Sequence, residues 1–203
     1  LKGKNFFRAA IFMPTIISTA VMSLVFYFIF NPYNGIFNQL LLKGGLIENP
    51  INWFSKEKAM LTSILVAVWG GIGNYMIYFL AGLQSIPAEL YESAEVDGAN
   101  GVDRLFYITI PMLGPVLQVV LMLAILASLK GYESIMVLTA GGPAGATEVM
   151  YLYLYKLLFP MQEVGGTAIQ LGYGSAVALV CAALVGGITM VYLYISKKMN
   201  DIY

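Results

Sequence analysis

No histidine occurs in this 203-residue chain, and there is one cysteine, Cys181. Those scarcities exclude His-based catalysis, Cys/His metal clusters and any disulfide within the chain. Cys181 sits in an apolar run and reads as a small packing residue. Charge is scarce too: charged residues make up 11% of the chain, against roughly 25% in an ordinary soluble domain. Lys+Arg and Asp+Glu balance at 11 each, so no basic surface points to nucleic acid. There is no GxxxxGK[ST] loop, which removes that route to ATP binding.

What remains is apolar. Hydrophobic residues make up 59% and the mean hydropathy is +0.77, which marks an integral membrane protein. Nothing ionises between Arg8 and Lys43, Lys58 and Glu89, Arg104 and Lys130, or Glu163 and Lys197. Each gap exceeds the ~20 residues a helix needs to cross a hydrocarbon core. The pattern predicts spanning helices near 9–30, 60–82, 107–129 and 170–195. An all-α membrane protein follows, because helices satisfy their own backbone groups in lipid and alternating barrel strands are absent. The apolar run 149–159 is interrupted by Lys156 and followed by Pro160. It predicts a peripheral outer helix with Tyr151, Tyr153 and Tyr155 at headgroup depth. Lys2, Lys4 and Arg8 before the first span, and Lys197 and Lys198 after the last, place both ends of this chain on the cytoplasmic side. The loops 31–58 and 130–169 then face outward.

The stretch 85–105 stands apart from this background. Glu89, Glu92, Glu95, Asp97 and Asp103 put five of the eleven carboxylates within fifteen residues. Ser85 is a candidate helix cap, with Pro87 in the first turn. Gly98 suits the left-handed residue past a helix end, and Asn100 with Asp103 three residues on forms a second cap. Two short helices joined at Gly98 are expected on the cytoplasmic face. Ala88, Ser93, Ala94 and Ala99 are small, so another protein can approach closely and offer Arg or Lys to the carboxylates. A solvated acidic loop is the plainer alternative.

Glu92-Ser93-Ala94, three residues, Gly98, nine residues, then Ile108, Ile110 and Pro111: this order resembles the E-A-A signature of the membrane subunits of binding-protein-dependent ABC importers. Ser93 and Ile110 are mild departures. The stretches "IFNPYNGIFNQLL", "INWFS", "VLTAGGPAGATE" and "GYGSAVAL" are similar to the carbohydrate-uptake branch, of the maltose and glycerol-3-phosphate permease type. The resemblance implies a type I ABC importer transmembrane domain, a MetI-like helical bundle, over 1–203. Relative to that six-span family the chain begins just before the third span, so N-terminal spans are expected to be missing. The implied function is ATP-driven import of a sugar, an oligosaccharide or another glycoside. The implied partners are a second permease subunit, an ABC ATPase dimer and an extracellular solute-binding protein. ATP and Mg would sit on the ATPase; no catalytic residue, metal or cofactor is expected on this chain.

By the same resemblance, 85–105 is the coupling segment, where Glu92, Ser93, Ala94, Asp97 and Gly98 meet the ATPase. Glu92 would pair with a basic group, Ala94 would allow close packing and Gly98 would permit the bend. Substrate-path positions fall at Ala67, Gly70, Gly71 and Asn74 in the second span here, and at Ala124, Ser128 and Gly131 at the end of the third. Close helix packing is an equal reading of the glycines. From the residues alone, Asn74, Gln118 and Ser128 are polar groups within spans, and Trp69, Tyr75 and Tyr78 are available to stack on a sugar face. Gly141, Gly142 and Pro143 lie in the Gly-rich outer loop; the resemblance puts them near the binding protein, while a flexible linker is the alternative. A secondary transporter would need ionisable groups inside the spans, and a membrane enzyme a nucleophile and base there; the predicted spans hold neither. The remaining alternative is an importer of the same class that carries an amino acid, phosphate or polyamine.

Overall fold

The computed structural model describes residues 3–159 and 170–200. Every regular element among them is helical. Helix α1 (Lys4–Phe12) passes through a 3-10 turn (Met13–Ile16) into α2 (Thr19–Ile29). Hydropathy predicts one helix over 9–30; instead the two parts meet at 101°. The break has local causes. Pro14, which has no N–H, lies in the 3-10 turn. Thr15 Oγ1 donates to the Phe12 carbonyl at 2.7 Å. Ile17 is extended, and Ser18 then caps α2 by accepting from the Val21 N–H.

Next come α3 (Ile36–Lys43), α4 (Ala59–Ser85), α5 (Ala88–Val96) and α6 (Gly101–Arg104). A π turn (Leu105–Thr109) leads through α7 (Ile110–Met112) to α8 (Gly114–Lys130), followed by α9 (Glu133–Leu138), α10 (Met150–Leu158) and α11 (Leu171–Asn200). Three helical stretches are long and apolar enough to cross a membrane: 59–85, 114–138 and 171–197. The third predicted span begins later than 107. Pro111 and Pro115 each open a new helix, because neither has an N–H to continue the preceding ladder. Pro160, expected to end the peripheral helix, lies outside the described residues.

Contacts sort the elements to two ends of the bundle. At one end, Met22, Phe30, Val66 and Leu138 form a buried cluster, with Phe26, Phe37, Trp53 and Phe54 packed on it. At the same end, a Cβ on Gly174 would lie 2.6 Å from Leu158, so α11 starts against α10. At the other end, a Cβ on Gly82 would lie 2.6 Å from Val116 and 2.9 Å from Leu113; only glycine lets α4 and α8 approach this closely. Near the middle of α4, Gly73 accepts the end of α1 in the same way, since a Cβ there would lie 2.6 Å from the Ile11 carbonyl oxygen.

One side chain organises the loop between α2 and α4. Asn38 is 2% exposed. Its amide donates to the Pro32 carbonyl at 3.0 Å and to the Ile51 carbonyl at 2.9 Å. Its oxygen accepts from the Ile51 N–H at 3.3 Å and from Trp53 Nε1 at 2.9 Å. Thr62 Oγ1 continues the network from α4 by donating to the Trp53 carbonyl at 2.8 Å. Asn38→Ala leaves two donors and two acceptors without that partner, and each unmet buried group costs about 1–3 kcal/mol. The expected result is a lower melting temperature in detergent and protease cleavage within 44–58 that the unaltered protein resists.

Candidate functional site

The acidic stretch folds as two short helices crossing at a glycine. Ser85 is not the cap: it ends α4, its Oγ donating to the Gly82 carbonyl at 2.8 Å. Pro87 occupies the N-cap position of α5 without a side-chain bond, since its ring already fixes the backbone for helix entry. At the C-terminus, Gly98 takes φ +84 and a Cβ there would meet nothing within 4 Å. Backbone conformation, not space, selects glycine here. The Ala99 N–H reaches back to the Ala94 carbonyl at 2.9 Å and the Gly98 N–H to the Glu95 carbonyl at 3.1 Å, closing the helix end.

Asn100 then caps α6. Its Oδ1 accepts from the Val102 and Asp103 N–H groups at 2.8 and 3.1 Å, and Asp103 Oδ2 accepts from the Asn100 N–H at 3.1 Å. Two contacts between the arms hold the angle. Arg104 pairs with Glu95 at 3.0 Å, an exposed pair of modest worth. The Tyr91 and Thr109 hydroxyls meet at 2.9 Å, and Thr109 also donates to the Arg104 carbonyl at 3.2 Å across the π turn. Sequence reasoning missed Tyr91, Arg104 and Thr109. Arg104 had a signal, as the one cation among five carboxylates; the other two had none, because their contact spans 18 residues.

On this knuckle the signature residues separate by role. Glu92 and Asp97 are exposed and form no ion pair among the described residues. Ser93 Oγ donates inward to the Glu89 carbonyl at 2.8 Å. Ala94 is half-buried where the arms meet. The outcome is a cross-linked wedge whose exposed Glu92 and Asp97 form no ion pair among the described residues.

A separate cavity of about 370 Å³ lies where the α1–α2 break, the middle of α4 and the α8–α9 junction converge. Ala67, Gly70, Gly71, Asn74 and Gly131 line it; Ala124 and Ser128 do not, and Ser128 Oγ instead donates to the Ile125 carbonyl at 2.8 Å. The glycines open the α4 wall: a Cβ on Gly70 would lie 2.7 Å from the Met22 side chain. Thr15, Thr19 and Ser134 supply hydroxyls, and Lys130 with Glu133 supply opposite charges. None of Trp69, Tyr75 and Tyr78 lines the cavity; Trp69 packs edge-on against Phe26 at 5.0 Å. The aromatic wall is Tyr132, whose ring lies 5.3 Å from that of Tyr155 on α10. Thr15 and Thr19 could not be found from hydropathy, because the break that exposes them reads as continuous span.

The Gly-rich loop is built, not slack. Thr147 is fully buried; its hydroxyl donates to the Gly142 carbonyl at 2.8 Å and meets the Thr139 hydroxyl at 2.7 Å. Gly141 is buried at φ +87 beneath the Glu148–Lys156 ion pair, which joins the loop to α10 at 2.7 Å. Gly142 is half-buried and Pro143 exposed.

The chain matches the family described as binding-protein-dependent transport system inner membrane component over residues 2–200. It is 35% identical over 205 residues to the arabinooligosaccharides transport system permease protein AraP of Bacillus subtilis, a match covering 98% of this chain and 62% of that protein. To the trehalose/maltose transport system permease protein MalF of Thermococcus litoralis it is 35% identical over 202 residues, covering 99% and 65%. Among solved structures, a bacterial ABC transporter involved in the import of the acidic polysaccharide alginate superposes with a TM-score of 0.83 at 24% identity, over 98% of this chain and 68% of the other. The chain spans less than two thirds of the length of the two relatives. It belongs to the family of binding-protein-dependent membrane transport components.

The double cap of the knuckle carries a direct expectation. Asn100→Ala removes both side-chain acceptor bonds at the α6 N-terminus, a loss of about 1 kcal/mol in local stability. Hydrogen exchange of the 101–104 amides is expected to quicken several-fold, with the amides of α4 unchanged.

Proposed function

We propose that this family member is the membrane-spanning permease subunit of an ATP-driven sugar importer, with the acidic knuckle as the seat of its ATPase. The observation that carries this reading is the knuckle itself. Its arms are joined by the Arg104–Glu95 pair and the Tyr91–Thr109 hydroxyl contact, while Glu92 and Asp97 are exposed and form no ion pair among the described residues. A rigid wedge between α4 and α8 can convert a push from below into a tilt of both spans. A flexible acidic loop would absorb that push. ATP and Mg belong to two ATPase subunits, and a second permease completes the passage. Both ends of this chain and the knuckle face the cytoplasm, in the bacterial cell membrane.

In this reading the solute passes by the cavity at the α1–α2 break. Buried hydroxyls of a sugar need partners when they leave water. Thr15, Thr19, Asn74 and Ser134 supply them there, and Tyr132 offers a ring. The sugar is an oligosaccharide or other glycoside; AraP is named for arabinooligosaccharides and MalF for trehalose and maltose. An extracellular solute-binding protein delivers it, meeting the surface at exposed Pro143 and half-buried Gly142, which buried Gly141 shapes from beneath. Lys130 and Glu133 at the cavity favour a second reading, a charged solute such as an amino acid, phosphate or polyamine carried by the same class of importer.

Two variants separate coupling from passage. Glu92→Lys places a cation where a basic group should dock. Copurification in mild detergent is expected to lose the ATPase while retaining the second permease; retention of both at normal ratio overturns the coupling role. Gly71→Leu fills the cavity without touching the knuckle. It is expected to keep both partners and to reduce uptake about tenfold or more, equivalent to ~1.4 kcal/mol or more on the barrier. Uptake is measured with the sugar that a thermal-shift screen of the binding protein identifies. A charged solute stabilising that protein in place of any sugar would favour the second reading.

A further inference from the structure

The apolar spans contain few polar side chains, and one of them joins two spans far apart in sequence. Gln118 sits one turn into α8, above Pro115. Ser196 Oγ, near the end of α11, donates to Gln118 Oε1 at 2.7 Å. The Tyr192 hydroxyl, one turn earlier on α11, donates to the backbone carbonyl of the same Gln118. Residues 192 and 196 lie on one face of α11, so one residue of α8 is gripped by two successive turns of its neighbour. On its other side the foot of α8 is pressed against α4, with Leu113 and Val116 over Gly82. The foot of α8 is thus fixed to both flanking helices immediately above the knuckle. Dispersion contacts between apolar helices permit sliding, whereas directional hydrogen bonds between two helices fix their register.

We infer that Gln118 is a positioning residue that makes α11 follow the knuckle: the Gln118–Ser196–Tyr192 clamp transmits displacement of the α5–α6 wedge through the foot of α8 to the last helix. This rests on the proposed role of the knuckle as the ATPase seat. Without the clamp, α8 still tilts with the wedge but α11 lags. The consequence is a loss of motion in α11 at unchanged ATPase docking, an effect that a merely structural hydrogen bond would not have.

The test uses the full-length subunit in its copurified transporter, in lipid nanodiscs, with Cys181→Ser to remove the native thiol. Spin labels go at two exposed positions, Ala182→Cys on α11 and Asn52→Cys in the loop at the opposite end from the knuckle; a second pair, Gly101→Cys with Asn52→Cys, reports the knuckle. Distances are compared without nucleotide and after trapping with ATP and vanadate. The expected result is that Gln118→Leu combined with Tyr192→Phe, which together remove both bonds, cuts the nucleotide-dependent shift of the α11 pair to less than half while the knuckle pair moves as before. The swap Gln118→Ser with Ser196→Gln is expected to restore it. A full α11 shift in the Gln118→Leu, Tyr192→Phe double variant overturns the inference, as does an α11 that stays still in the parent while its knuckle moves. Equal ATPase content and melting temperature in all variants exclude misassembly as the cause. If the parent's knuckle pair itself fails to respond to nucleotide, the coupling reading falls, and this inference falls with it.

Discussion

In hydrocarbon a backbone amide or carbonyl has no water to turn to, and this one constraint arranges the molecule. The two longest helices meet it by running uninterrupted, 27 residues in α4 and 30 in α11. Several interruptions elsewhere are matched to a polar side chain that takes over some of the missing bonds. Ser18 caps α2 after the break, Asn38 closes the loop before α4, Asn100 caps α6 and Thr147 holds the Gly-rich loop. No buried side-chain nitrogen or oxygen among the described residues lacks a partner. Surface Leu, Ile, Val and Phe on the spans are then unexceptional, because lipid is their solvent.

The same constraint separates the two candidate sites by kind. The knuckle is polar and exposed, with Asp103 and Glu95 used within it and Glu92 and Asp97 left exposed. The cavity is a place where regular structure fails inside the bundle: the 3-10 turn and the extended Ile17 expose Thr15 and Thr19 beside the bare glycine face of α4. Irregular backbone at this depth is tolerated where it lines a polar space. α4 reaches both sites, touching the cavity at 67–74 and ending at the knuckle, and α8 does so from the opposite direction, from Gly114 at the knuckle to Lys130 at the cavity.

Gly98 and the Asn100–Asp103 pair were legible because caps and left-handed glycines are local chemistry, decided within four or five residues. Ser85 misled, since a serine before a proline also fits the last turn of a preceding helix, and that bond to the Gly82 carbonyl won. The break at 13–18 was hidden because hydropathy counts apolar atoms and ignores dihedrals. Asn74 was identified as a polar group in a span and does line the cavity, whereas Gln118 and Ser128, chosen by the same rule, satisfy themselves against α11 and their own helix. The rule finds polar groups that need a partner; it does not say which partner they find.

By itself, then, the sequence determined the class, the rough placement of three apolar helices, the Gly98 turn with the Asn100 cap, and the family. Those depend on composition, on gaps between charges and on contacts within one turn, all of which are linear in the chain. The tertiary structure alone decided which glycines face a cavity and which admit a neighbouring helix, why Tyr91 matters to Thr109, and that Gln118 belongs to α11. Such pairings depend on how helices are rotated about their axes and on where each break falls. Both are settled by packing among residues as much as 78 positions apart.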